Sequence, residues 1–135
     1  LKICSISLIL VSLFVLFNSF TQSFNLKESI ERGKDGYALY CQNCHMEDGN
    51  GQPAAVPTLL KADFLNKPAR DLINVILIGQ TGEIQANGIT YNGIMPAQNY
   101  LTDNQIADIL NYVRNSWGNT AAKAIIPNMV KGARP

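Results

Sequence analysis

Cys41-Gln42-Asn43-Cys44-His45 sets two thiols three residues apart, with an imidazole next in line. At a helix end, residues at that spacing share a face. Two such thiols can add across the vinyl groups of a haem, and the adjacent imidazole can ligate its iron. C-x-x-C-H is the run that attaches a c-type haem. The motif therefore predicts one covalently held haem c, with its iron. His45 is the only histidine, so no rival imidazole exists.

Two other uses of these residues fit less well. A C-x-x-C pair also serves thioredoxin-like redox chemistry, but that reading leaves His45 idle and does not suit the helical surroundings. A closed zinc site needs four ligands. Cys41, Cys44 and His45 supply three, and an Asp or Glu would have to complete the set.

A haem iron held by His45 has a sixth position. The candidates are Met46, Met95 and Met129, or no protein ligand. Met46 adjoins His45 and cannot reach the opposite haem face. Met95 lies in a glycine-rich stretch, and Pro96 after it restricts Met95 to an extended backbone. That arrangement holds a thioether rigidly, so Met95 is the favoured ligand. Met129, in the tail, is a packing residue or a substitute ligand. A His/Met pair fills both axial sites, and the soft thioether raises the reduction potential. Such an iron carries electrons and leaves no open site for oxygen or peroxide.

These residues need elements to hold them. Asn25 to His45 reads as a helix capped by Asn25 or Ser29, with Glu28 and Glu31 in its first turns. Gly33, Tyr37 and Cys41 recur every four residues and lie on one face. A glycine there suits a close helix crossing. Asp48 to Leu60 reads as a loop, and Lys61 to Leu65 as a short turn of helix. Pro68 to Ile78 reads as a helix opened by proline and stopped by Gly79. Gly79 to Tyr100 shows no sustained period and reads as a long loop, a length usually tied to function. Thr102 and Gln105 form a capping box for a helix to about Trp117, with Ile106, Ile109, Leu110 and Val113 as its buried stripe. The tail from Asn119 to Pro135 has no clear amphipathic pattern and is expected to wrap the surface.

The amino terminus stands apart. Ile3 to Phe17 is mostly apolar and follows a single Lys2, with small Thr21 and Ser23 two apart. This reads as a secretory signal peptide over 1–23. The apolar run is short against the about 20 residues of a membrane crossing. The expected organisation is a signal peptide at 1–23, a haem domain at 24–118 and a tail at 119–135. A domain this small needs help to hold its core, and a covalent haem supplies it. The 11 Lys+Arg and 10 Asp+Glu residues come close to balance. No basic field argues for nucleic acid.

The chain resembles a class I cytochrome c of the small bacterial single-haem type. The resemblance rests on Gly33-x-x-x-Tyr37-x-x-x-Cys41-Gln-Asn-Cys44-His45, on Asp48-Gly49-Asn50-Gly51 and Pro57-Thr58-Leu59, on Gly93-Ile94-Met95-Pro96, and on Leu101-Thr102-Asp103 with Ile109-Leu110-Asn111-Tyr112-Val113-Arg114. It spans Ile30 to Trp117. It implies an all-α, cytochrome c-like fold: three main helices around one haem, with long loops. It implies that Gly33 and Tyr37 cross the Leu110 to Val113 turn. It also implies that the Pro57 carbonyl orients His45, a bond that sets the tautomer of a ligating histidine. Tyr91 and Trp117 are candidates to line the haem or to bond a propionate, or else are core aromatics. Arg70 is a propionate partner or faces solvent.

The function expected is a periplasmic one-electron carrier, not an enzyme. It would pass electrons between a dehydrogenase or membrane redox complex and an oxidase or reductase. Its contact would be a haem edge near Ala54, Ala55 and the Met95 loop. The alternatives are a fixed haem-relay subunit of a larger oxidoreductase, with the tail as a docking element, and a haem-based sensor or peroxidase-like protein.

Overall fold

The computed structural model describes residues 23–121 and 123–135. The expected signal peptide falls almost wholly outside them. Asn25 caps helix α1 (Leu26–Tyr40), its side chain accepting from the amides of Lys27 and Glu28. The helix breaks at Cys41, and a single turn, α2 (Gln42–His45), carries the second thiol and the imidazole. The reading of one continuous helix is corrected there: Cys41 has left the helical conformation, at φ −121°.

A 3₁₀ turn (Asp63–Asn66) and helix α3 (Ala69–Ile78) follow. Helix α4 (Asp103–Val113) opens on the Thr102–Gln105 capping box, with both of its reciprocal bonds present. It ends at Val113, four residues short of the expected Trp117; Arg114 caps it, its amide donating to the Leu110 carbonyl, and the chain reverses at Trp117 and Gly118, both at positive φ.

The stretch read as a long loop contains a hairpin, β1 (Ile84–Ala86) against β2 (Ile89–Tyr91), paired antiparallel with Ile84 opposite Tyr91. Asn87 and Gly88 form its turn, both at positive φ, as a two-residue hairpin requires. Asn87 anchors the turn: its side-chain oxygen accepts from the Asp63 backbone amide at 3.0 Å, and its backbone N–H donates to the Asp63 carboxylate at 2.8 Å.

The central packing is α1 across α4. Ser29, Gly33 and Tyr37 form the buried face of α1, one helical turn apart. α4 is buried nearly all round, Asp108 and Asn111 included. The reason lies in the tail, which wraps back as an arm ending in helix α5 (Pro127–Lys131) and covers the second side of α4. Ile125 and Val130 of the arm are fully buried. Asn111 ties the arm down, donating to the Ile125 carbonyl at 2.8 Å and accepting from the Ile125 amide at 2.8 Å.

Candidate functional site

A cavity opens between α1–α2, α3, α4, the hairpin and the Met95 loop. Its volume is about 190 Å³, an order of magnitude beyond what a single water needs. A gap of that size exceeds the small voids of a packed core. Leu72, Ile76, Leu101, Ile109, Leu110 and Val113 give it apolar walls, and no Asp, Glu, Lys or Arg among the described residues lines it. Such a space suits a large, flat, apolar group.

The structure brings Cys41, Cys44, His45, Pro57, Tyr91 and Met95 to this one wall. Trp117 is not part of it. Its indole lies over Gly49 and packs 5.0 Å from the Tyr37 ring and 5.4 Å from Tyr112. It braces the helix crossing and the loop after α2. Arg70 is exposed and also lies off the wall. So do Met46 and Met129, which leaves Met95 as the one methionine facing the cavity among the described residues.

Each donor is held by its element. Cys41 is half-buried and Cys44 exposed at the rim. Burial pushes the Cys41 thiol up to about 11, with the neighbouring Cys44 adding to the rise. The His45 Nδ1 lies 3.3 Å from the Pro57 carbonyl oxygen. A carbonyl can only accept, so Nδ1 carries the proton and Nε2 keeps its lone pair free. Burial holds the imidazole below its ordinary range, and the Pro57 bond opposes that shift. The result is a neutral imidazole with one defined donor atom, the state a metal ligand needs. The Tyr37 hydroxyl donates to the Met46 carbonyl at 2.6 Å, fixing the exit from α2.

Met95 sits in an extended bridge with Gln80. Each amide donates to the other's carbonyl at 2.9 Å. Gly93, two residues earlier, lies so close to the Ala55 carbonyl that a Cβ would overlap it. That contact draws the Met95 loop onto the loop after α2, so both sides of the cavity mouth are one packed unit.

Several lining residues were not singled out from sequence. Tyr40, Phe64, Gln80, Ile84, Ala86 and Gln98 all reach the wall. The Asn87-Gly88 dipeptide signals the hairpin that brings Ile84 and Ala86 there. Gln80 and Gln98 carry no such signal.

The donor set matches covalent haem: two thiols, one neutral imidazole and one thioether around an apolar slot. Polar groups for the propionates would be neutral, from Thr58, Tyr91, Gln80 or Gln98.

Comparison with known proteins agrees. Residues 30–117 match the family model described as Cytochrome c. Cytochrome c-552 of Thermus thermophilus is 36% identical over 107 residues, covering 75% of this chain and 76% of the relative. The cytochrome c subunit of gluconate 2-dehydrogenase from Pantoea cypripedii is 31% identical over 124 residues, 85% of this chain but 28% of that protein. The cytochrome c subunit of a quinone alcohol dehydrogenase from Gluconacetobacter polyoxogenes is 28% identical, and this chain spans only 19% of its length.

Proposed function

This chain belongs to the cytochrome c family, and on that premise we propose that it is a periplasmic one-electron carrier with a single haem c. The observation that carries the reading is the convergence of Cys41, Cys44, His45 and Met95 on one uncharged cavity. Bound there, haem supplies a one-electron couple between ferric and ferrous iron. Cys41 and Cys44 are the attachment thiols, and His45 offers Nε2 as the proximal ligand. Met95 offers the sixth ligand, whose soft sulfur favours the reduced state. Pro57 and the Gln80 bridge keep both ligands in place through a change of charge.

The rim supports transfer by brief contact. Cys44, Ala54, Ala55 and Ile94 are all exposed around the cavity mouth, Ile94 at 80%. An apolar patch of that kind suits a small transient interface. The relatives include haem subunits of dehydrogenases, which supports the second reading, a fixed relay in a larger complex. The arm itself divides between the two readings. Ile125 and Val130 are buried in the chain's own core, while Ile126 and Met129 of the same arm are exposed. No helix among the described residues is long and apolar enough to cross a membrane.

Mass analysis of exported protein should show one haem added through two thioether bonds. Optical spectra of both redox states should show the sulfur-to-ferric-iron band. Met95→Ala should abolish that band, lower the potential and let the ferrous form bind carbon monoxide. If the unaltered protein binds carbon monoxide as readily as the variant, Met95 is not the ligand.

A further inference from the structure

The arm does more than cover α4. Near its end, the Arg134 guanidinium reaches back across the molecule to the start of α4. Nε donates to the Asp103 carboxylate at 2.6 Å, Nη1 to the Asn99 carbonyl at 2.9 Å and Nη2 to the Leu101 carbonyl at 2.5 Å. We propose that Arg134 is a positioning residue for the segment that carries Met95, locking the far side of that loop through these three bonds.

The near side is already pinned. The Met95–Gln80 bridge holds one end, and the Gln98 amide donates to the Ile76 carbonyl at 2.7 Å. From Asn99 to Leu101 the chain must pass from the loop into α4. Leu101 is buried and lines the cavity beside Met95, so its placement bears on the site. Arg134 holds the carbonyls on both sides of exposed Tyr100, and a planar fork can do this where a point charge cannot. The base of the arm is rooted through Asn111 and Ile125, with Val130 fully buried between. The guanidinium is thus carried on a fixed support. Loosening it frees the stretch between Gln98 and Thr102, and with it the outward swing of Met95.

The inference rests on Met95 as the sixth ligand, and the test separates the two. The material is the haem-loaded full chain as Arg134→Ala, Arg134→Lys and Asn25→Ala. Asn25 caps the start of α1 through bonds to the amides of Lys27 and Glu28 and touches neither the arm's anchor nor the loop, so its loss serves as a general stability control. Amide hydrogen exchange at Gln98 and Leu101, which does not depend on the iron ligand, is read together with carbon monoxide association to the ferrous protein. Arg134→Ala should speed both by roughly tenfold or more, the scale of losing even one of its three bonds from a local opening. Arg134→Lys should fall between Arg134→Ala and the native protein. Asn25→Ala should lower the melting temperature and leave carbon monoxide association unchanged. Exchange at Gln98 and Leu101 that rises no more in Arg134→Ala than in Asn25→Ala overturns the proposal. Native protein that binds carbon monoxide freely overturns the Met95 ligand instead, and the exchange comparison still decides the role of Arg134.

Discussion

Gly33 and Asp108 meet backbone to backbone where α1 crosses α4. A Cβ on residue 33 would overlap the Asp108 carbonyl and stand 2.8 Å from the Tyr112 Cβ. The same crossing is clamped by polar groups. The Asp108 carboxylate accepts from the Ser29 hydroxyl at 2.5 Å and from Arg32 Nε at 2.7 Å. Because α1 leads directly into Cys41, this contact sets where the attachment thiols lie relative to α4.

Gly33→Ala cannot be absorbed by a side-chain rotation, since the obstacle is backbone. The helices must separate, which costs about 3 kcal/mol or somewhat more. Urea denaturation of the holoprotein measures the loss. A change within experimental error would show that the crossing is looser than the geometry implies.

Asn111→Ala removes three buried bonds at once: to the Ser29 hydroxyl at 2.9 Å and to the Ile125 carbonyl and amide at 2.8 Å each. The groups left without partners stay buried, at a cost of about 3 kcal/mol. The arm should also become open to proteolysis. Limited digestion followed by mass analysis should place the new cuts between Asn115 and Pro127.

Asp48 should titrate below an ordinary aspartate. Its carboxylate accepts from the Asn50 amide at 3.1 Å and from the Asn50 side chain at 2.6 Å, and the amide bond is the larger cause of the lowering. A carboxylate lowered in the folded state adds stability above its unfolded value. That contribution is lost as pH falls through the folded value. The group is exposed, so the effect is small. Nuclear magnetic resonance should read the shift directly, and Asn50→Ala should return part of it.

Cys41→Ser with Cys44→Ser should yield a chain with no added cofactor mass. Without a covalent filler, the Leu72, Ile76, Ile109 and Leu110 side chains face an unfilled slot, and a domain this small has little surplus to hold it open. Far-ultraviolet circular dichroism should show a marked loss of helix. A cooperative melt at the native temperature would count against haem as the core of the fold.

The helices were legible because each carries its own local signal. Asn25 and Thr102 cap as expected, Gly79 stops α3, and the four-residue recurrence of Gly33 and Tyr37 marks the buried face of α1. The strands of the hairpin, three residues each, are too short for a period-2 pattern to show, and Asn87-Gly88 is the one local mark it leaves. By type alone Trp117 suits either the haem wall or the core. Only the packing of its ring on Gly49 and Tyr37 places it off the wall. The burial of Asn111 and Asp108 escaped notice because polar residues on a helix read as its solvent face. What covers them is an arm that arrives from further along the chain.

Taken alone, the order of residues determined the chemistry on offer: two thiols and an imidazole at a spacing that suits one porphyrin, and a methionine held extended before proline. It did so because C-x-x-C-H and Met-Pro are local arrangements, complete within a few residues. The tertiary structure decided which groups share the cavity, which stand behind it and how the loop bearing Met95 is secured. Those relations join residues far apart in sequence, such as Arg134 with Asn99 and Gly33 with Asp108. No local pattern encodes them, because they exist only once the helices have packed.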